Sequence, residues 1–339
     1  MKALTQQGLT ALFAFTLLVG CSQPRVVELQ GQTMGTTYSV KLPNAPDAIT
    51  PEPLKAEIDA LLNDINKQMS TYDPTSNLSV LNQAPVGQWV VVPAALMKVM
   101  LTARNIYALS NGLFDPTVGP LVNLWGFGPQ GPAEFPDKAT LANTLERVGF
   151  ARHIELDAEA NRIRKNHAGV YVDLSSIAKG YAVDVLAEHL ASKGLQDYMV
   201  EVGGELRVNG NNPAGKPWRL AIESPTAGAR KVHGIVAVNQ MAIATSGDYR
   251  NFFEHGGKRY SHTIDPRSGY PVSHSLVSAT VLHHSAMHAD ALATAMMVLG
   301  PEAGMRLAES QGLAVWLITR EGDEFSDIYS PEMRAYRVN

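Results

Sequence analysis

Asp290 and Thr294 stand four residues apart in "HADALATAMMVLG" (288–300). On a helix that spacing puts both on one face. Leu292, Ala295, Met296 and Leu299 fall on the opposite side. A carboxylate beside a hydroxyl offers hard oxygens, the donor type that Mg²⁺ prefers. Mg²⁺ usually keeps waters and substrate phosphate in its other positions. An equally simple reading is a partly exposed helix with incidental polar residues.

A second candidate is "VDLSSIAKGY" (172–181). Val172 and Leu174 read as the end of a strand, and Ser175 and Ser176 as a helix start. Such a start presents unpaired N–H groups and the positive end of the dipole, which suits an anion. Neither G-x-G-x-x-G nor G-x-x-x-x-G-K-[ST] accompanies it, so the familiar nucleotide loops are missing. A plain N-cap serine with Asp173 in a turn explains the segment equally.

In "RYSHTIDPRSGYPV" (259–272), Tyr260 to Ile264 read as a strand and Asp265-Pro266-Arg267-Ser268-Gly269 as a tight turn. His262 stands beside that turn, and a histidine can serve as a general base. "MSTYDPTSNLSVLN" puts Tyr72 just past a helix. "GLFDPTVGPLVNLWGFGP" is a loop punctuated by Gly and Pro that carries Phe114, Asp115 and Trp125. Loop aromatics can stack on a flat ring or simply anchor the loop. His284 and His288 in "HHSAMHAD" would be i, i+4 if helical, but no H-E-x-x-H or nearby cysteine supports a zinc site.

The elements that must position these residues are of mixed kind. "QTMGTTYSVKL" (32–42) alternates Met34, Thr36, Tyr38, Val40 and Leu42, which predicts a strand. Helical spacing predicts helices over 54–69, from about Pro93 to a cap at Asn111-Gly112, and from Asp137 to Gly149. Beyond them come a hairpin over "HIELDAEANRIRKN" and strands in "YMVEVGGELRVNG", "WRLAIES", "HGIVAVNQMAIATSG" and "SLVSATVLH". Gly203-Gly204 reads as a bulge or a close backbone approach. Helices follow Ser175/Ser176 and run through 288–300, and the tail reads as a hairpin turning near Gly322. Without regular βαβ spacing this predicts an α+β fold of mixed sheets with packed helices.

Composition bounds the rest. The 339 residues are 45% apolar and 18% charged, enough for one large or two ordinary domains. The net charge of −4, with no basic cluster, argues against nucleic acid as a partner. Residues 1–20 read as a secretory signal: Lys2, then an apolar run from Leu9 to Val19 that is short of the ~20 residues a spanning helix needs. Leu18-Val19-Gly20-Cys21 resembles the lipobox of bacterial lipoproteins, which implies cleavage before Cys21 and acylation of its thiol. Cys21 is the only cysteine, so the chain has no intrachain disulfide. Residues 21–30 are expected to be a tether and 31–339 one folded domain.

Taken in order, "GQTMGTTYSV", "MSTYDPTSNLSVLN", "FDPTVGPLVNLWGFGP", "VDLSSIAKGYAVD", "EVGGELRVNG", "AIATSGDYRNFF", "YSHTIDPRSGYPV" and "ADALATAMMVLG" resemble the ApbE family of flavin transferases. The resemblance runs from about residue 30 to the C-terminus. It implies an α+β, exported and often lipid-anchored enzyme of the bacterial cell envelope, facing the periplasm. Such an enzyme moves FMN from FAD to a threonine or serine hydroxyl of another protein, releases AMP and uses Mg²⁺. It also implies site roles. Ser176, Asp290 and Thr294 would hold the metal. Met34, Tyr72, Leu113, Phe114, Asp115, Asp173, Lys179 and Ile264 would lie along FAD. His262 would help deprotonate the acceptor. Lys179 departs from the pattern, since several members carry Glu there. Acceptors would be subunits of membrane redox complexes. The alternatives are a Mg²⁺-dependent FAD pyrophosphatase and a flavin-binding lipoprotein without catalysis.

Overall fold

The computed structural model describes residues 25–128, 135–226, 231–248, 252–256 and 258–338. The signal segment and Cys21 lie outside the described residues. The first element is β1 (Val26–Thr33), so the folded part reaches back into the stretch expected to be tether. It pairs with β2 (Thr36–Pro43), with Thr33 opposite Thr36. The predicted single strand over 32–42 is therefore the corner of a hairpin. Met34 (φ 49°) and Gly35 (φ 70°) both take left-handed backbone angles, as a two-residue turn between twisted strands requires.

Next come α1 (Pro51–Met69), α2 (Asn77–Gln83), β3 (Trp89–Val91) and α3 (Ala94–Leu109). The chain continues with α4 (Gly119–Leu124), α5 (Lys138–Leu145), α6 (Phe150–His153), β4 (Ile154–Asp157), β5 (Arg162–Lys165) and α7 (Ala178–Ser192). The second half holds β6 (Tyr198–Val202), β7 (Glu205–Asn209), β8 (Trp218–Glu223), β9 (Val232–Val238) and β10 (Met241–Gly247). It ends with β11 (Phe252–His255), β12 (Lys258–Ser261), β13 (Leu276–His283), α8 (Ala286–Leu299), α9 (Pro301–Gln311), β14 (Ala314–Glu321), β15 (Glu324–Tyr329) and β16 (Arg337–Val338). The helix predicted from Asp137 is capped by that side chain, which accepts from Ala139 and Thr140 N–H. It ends at Leu145, and the chain then turns into α6.

The main sheet has eight strands in the order β1-β2-β6-β7-β10-β13-β14-β15, and every pair is antiparallel. Its two faces bury different sets of residues, as the two-residue period of a strand demands. Along β14, Val315 and Leu317 join the helical side with α1, α3, α7 and α8. Ala314, Trp316 and Ile318 turn the other way, onto the small sheet β16-β9-β8 through Trp218, Leu220, Ile222, Val236 and Val238. The architecture is thus helices on a sheet on a second small sheet, an α+β fold as expected. Gly203 (φ 62°) and Gly204 (φ 108°) form the tight turn between β6 and β7 rather than a bulge, and Gly203 makes the close approach: a β-carbon there would lie 2.8 Å from Thr36 Cγ2 and 3.0 Å from Lys179 Cδ. Among the described residues no helix is long and apolar enough to cross a membrane.

Candidate active site

A cavity of about 1510 Å³ opens where the main sheet, α7, α8 and the loops after α1 and α3 meet. It exceeds the ~300–1,000 Å³ typical of small-ligand pockets. Tyr72, Leu113, Phe114, Asp115, Asp173, Ser176, Lys179, His262, Ile264, Asp290 and Thr294 all line it. Met34 does not; it sits in the β1–β2 turn, and Thr36 and Thr37 reach the cavity instead.

The segment 172–177 departs from its sequence reading. Val172 to Leu174 are not a strand, and the helix begins only at Ala178, with no side-chain cap. Ser175 and Ser176 lie in the turn before it. The Asn82 side chain holds the approach to this turn by taking both backbone groups of Val172: its Oδ1 accepts from Val172 N–H (2.8 Å) and its amide donates to Val172 O (2.9 Å). Asp173 donates its own N–H to Pro116 O (2.8 Å), and its Oδ1 accepts from Ser175 N–H (2.8 Å).

Helix α8 is buried almost all round rather than partly exposed, and Asp290 is 3% exposed within it. Its Oδ2 accepts from Gly180 N–H at 2.9 Å. That bond needs the two helices to touch. A β-carbon on Gly180 would lie 2.2 Å from Ala286 O and 2.8 Å from Asp290 Cβ, so only glycine fits there. The start of α8 is gripped by Asp184 of α7. Asp184 Oδ1 accepts from Arg207 Nη1 (2.7 Å) and Ala286 N–H (2.9 Å); Oδ2 accepts from Ser285 Oγ (2.6 Å) and Met287 N–H (3.0 Å). One turn beyond Asp290, Thr294 Oγ1 lies 3.1 Å from Ser246 Oγ. His284 precedes the helix, so it does not share a face with His288; His288 stacks on His283 instead, at 4.9 Å.

Lys179 reaches Glu205 Oε1 at 2.7 Å. Glu205 is 4% exposed and its other oxygen has no hydrogen-bond partner. Burial and the nearby Asp290 push the Glu205 carboxyl up to about 8, against the pull of Lys179. Asp290 is raised by burial too, with Lys179 and the Gly180 N–H opposing. Lys179 is held above the usual lysine range by Asp290 and Glu205, which outweigh its own desolvation. One ammonium thus faces two buried acids, and burial raises both of them.

Asp115 is also buried, which raises its carboxyl. Both of its oxygens are engaged, by Thr117 N–H and Oγ1 on one side and Phe150 N–H on the other. Its carboxylate therefore fixes the loop rather than reaching outward. Tyr72 is 75% exposed at the rim. His262 follows β12, edge-on to Phe127 with 6.2 Å between ring centroids. The turn after it is tied by Asp265 N–H to Tyr270 O (2.9 Å) and Gly269 N–H to Asp265 O (2.8 Å). Trp125 Nε1 donates to Gly269 O (2.7 Å) and joins this turn to the loop after α4.

Ser176, Asp290 and Thr294, which line one cavity, could offer a cation one carboxylate and hydroxyl oxygens. That suits a hard cation such as Mg²⁺ completed by substrate oxygens. Among the described residues no group of three His, Cys, Asp or Glu side chains is placed to hold a metal.

A model of the ApbE family matches residues 34–317, most of the chain. The protein belongs to the ApbE family. Among its relatives in that family, the FAD:protein FMN transferase of Vibrio cholerae is 44% identical over 97% of this chain and 98% of the relative. The protein of the same name from Escherichia coli K12 is 39% identical over 97% and 96%. The solved flavin transferase ApbE of Vibrio cholerae superimposes with a TM-score of 0.85 at 42% identity, over 92% of this chain and 99% of that one. The apo flavinyl transferase ApbE of Pseudomonas stutzeri gives 0.85 at 40%, over 93% and 98%.

Three features of this ApbE-family site escape a reading of motifs: Glu205, Asp184 and the Ser246–Thr294 contact. Glu205 follows the Gly203-Gly204 pair and Asp184 ends "GYAVD", but only the fold shows what each faces.

Proposed function

We propose that this protein transfers FMN from FAD to a threonine or serine hydroxyl of an acceptor protein and releases AMP, with Mg²⁺ held by Ser176, Asp290 and Thr294. The observation that carries the proposal is a single cavity lined by His262, by that oxygen set and by Lys179, in a chain nearly co-extensive with relatives named for this reaction.

The acceptor oxygen attacks the FMN phosphorus, a new P–O bond forms, and the bond to the bridging oxygen breaks as AMP leaves. Mg²⁺, when bound, neutralises pyrophosphate charge and stabilises the departing phosphate. His262 takes the hydroxyl proton. The Asp290 carboxylate supplies negative charge to the cation site, and Gly180 N–H fixes its orientation. Lys179 adds positive charge beside the nucleotide phosphates. Tyr72, Leu113, Phe114, Asp115, Asp173 and Ile264 line the course of FAD.

The acylated Cys21 and a periplasmic location, with membrane redox complexes as acceptors, complete the proposal. Cys21→Ser should leave the precursor uncleaved or free of the membrane fraction.

The deciding experiment incubates the protein with FAD, Mg²⁺ and envelope proteins. Flavin fluorescence that survives denaturing electrophoresis, with a mass increase of FMN on the labelled band, is the expected result. FMN and AMP without any labelled protein would identify a pyrophosphatase, and unchanged FAD a binding protein. Asp290→Asn should lower transfer by at least ~10²-fold, the scale of losing an electrostatic stabiliser.

A further inference from the structure

Strand β8 is an edge. It pairs with β9 on one side, and among the described residues no strand pairs with its other side. The opposite edge of the same small sheet is covered by β16. The edge left unpaired among the described residues faces the central cavity. Five consecutive residues, Arg219 to Glu223, line it. Their side chains alternate: Leu220 and Ile222 are buried, while Arg219 and Ala221 are exposed. A strand that lines a cavity through both alternating sets presents its edge to that cavity rather than a face.

The register identifies the groups on that edge. Ala237 donates its N–H to Tyr336 O (2.8 Å), so its backbone groups point toward β16. Val236 and Val238 therefore point toward β8, where they lie opposite Leu220 and Trp218. The N–H and C=O groups of Arg219 and Ala221 consequently point away from β9. The register shifts between Ile222 and Glu223, and this irregularity bounds the open stretch.

We propose that this edge of β8 receives the acceptor: an extended segment of the acceptor protein, near the hydroxyl that is modified, pairs with Arg219 and Ala221 as an added strand. The proposal rests on the flavin-transfer reading and names how its protein substrate is held. A protein acceptor must bring backbone into the cavity, and desolvated backbone groups need partners. An open strand edge supplies them whatever the side chains are. Two N–H and two C=O groups at two-residue spacing fit a polypeptide, whereas a dinucleotide offers no such repeat. Six residues of strand give a track of ~20 Å. Its place beside the cavity also shields this edge from pairing with other edge strands.

The test is hydrogen exchange on the full chain, with FAD alone and with the acceptor labelled in the transfer assay, its reactive hydroxyl residue changed to alanine. Amides within 218–223 should slow by at least ~5-fold with the acceptor and not with FAD alone. Ala221→Pro removes an N–H that makes no bond to β9, a position where an edge strand tolerates proline. It should raise the KM for the acceptor about five- to tenfold, the scale of one lost hydrogen bond. The kcat, FAD affinity and thermal midpoint should stay near wild type. Protection by FAD alone would assign the edge to the nucleotide and overturn the proposal. Unprotected amides with acceptor bound, or wild-type KM in a folded Ala221→Pro, would overturn it as well. If that variant does not fold, exchange on the wild type decides. Absence of any labelled protein would instead defeat the flavin-transfer reading.

Discussion

Asp184→Asn tests whether the grip of α7 on α8 sets the site. The wild-type carboxylate accepts four hydrogen bonds, two at each oxygen, and its side chain is 6% exposed. The amide replaces one acceptor by a donor. Placing the amide nitrogen at the Oδ2 position is the milder choice, because the Ser285 hydroxyl can turn and accept. Met287 N–H then loses its partner, at a cost of ~1–3 kcal/mol. The charge-assisted bond from Arg207, whose side chain is 26% exposed, weakens as well. Together these amount to ~3–5 kcal/mol, the scale of a broken buried ion pair. For a chain of this size each kcal/mol moves the melting midpoint by ~2 °C, so a fall of roughly 6–10 °C is expected. Differential scanning calorimetry reads this directly. Transfer activity measured well below the new midpoint should also drop, because Asp290 and Thr294 ride on the released helix. A fall under ~2 °C with normal activity would refute the reasoning, since the four contacts would then contribute nothing net.

Gly180→Ala forces α7 and α8 apart; transfer should fall by more than ~10-fold and stability by ~1–3 kcal/mol, the range for overpacking, read by activity and urea titration. Glu205 holds its proton more tightly folded than unfolded, so without added cation stability should decline as pH rises from about 4.5 to about 8. Glu205→Gln should remove that part of the slope, measured by denaturant titration at several pH values; an unchanged slope would count against the buried-acid assignment. His262→Ala should slow transfer by ~10²–10⁴-fold and leave FAD affinity unchanged, as expected of a positioned base; equal losses in binding and transfer would make it a structural residue.

Much of this was legible in the sequence because it is local. Period and turn chemistry suffice for the hairpins over 154–165 and 314–329 and for α1, α3 and α8. The order of eight motifs points to the family. Local signals fail where a partner far along the chain decides the outcome. Met34 continues the alternation of its neighbours, yet Gly35 beside it permits a turn, and pairing with β1 selects that turn. Ser175 and Ser176 have cap chemistry, but the helix waits until Ala178, while Val172 and Asp173 are pinned from outside by Asn82 and Pro116. The sequence places Asp290 and Thr294 on one face of a helix but leaves open a partly exposed helix with incidental polar residues; the packing of α8 against α7 and the main sheet buries Asp290. Glu205 gave no signal because its meaning lies in Lys179 and Asp290, which come from two other elements.

The strand order also has a consequence for how the chain folds. Lys41 of β2 pairs with Met199 of β6, about 160 residues later. The N-terminal hairpin therefore has no sheet to join until well over half the chain is available. Closing so long a loop precedes the contacts that reward it, which predicts slow folding dominated by non-local pairing. During synthesis the first 190 residues can form helices and small hairpins but not the main sheet. Until β6 is made, the β1–β2 hairpin leaves open the edge that β6 will cover, and premature pairing at that edge is the hazard this order of synthesis creates.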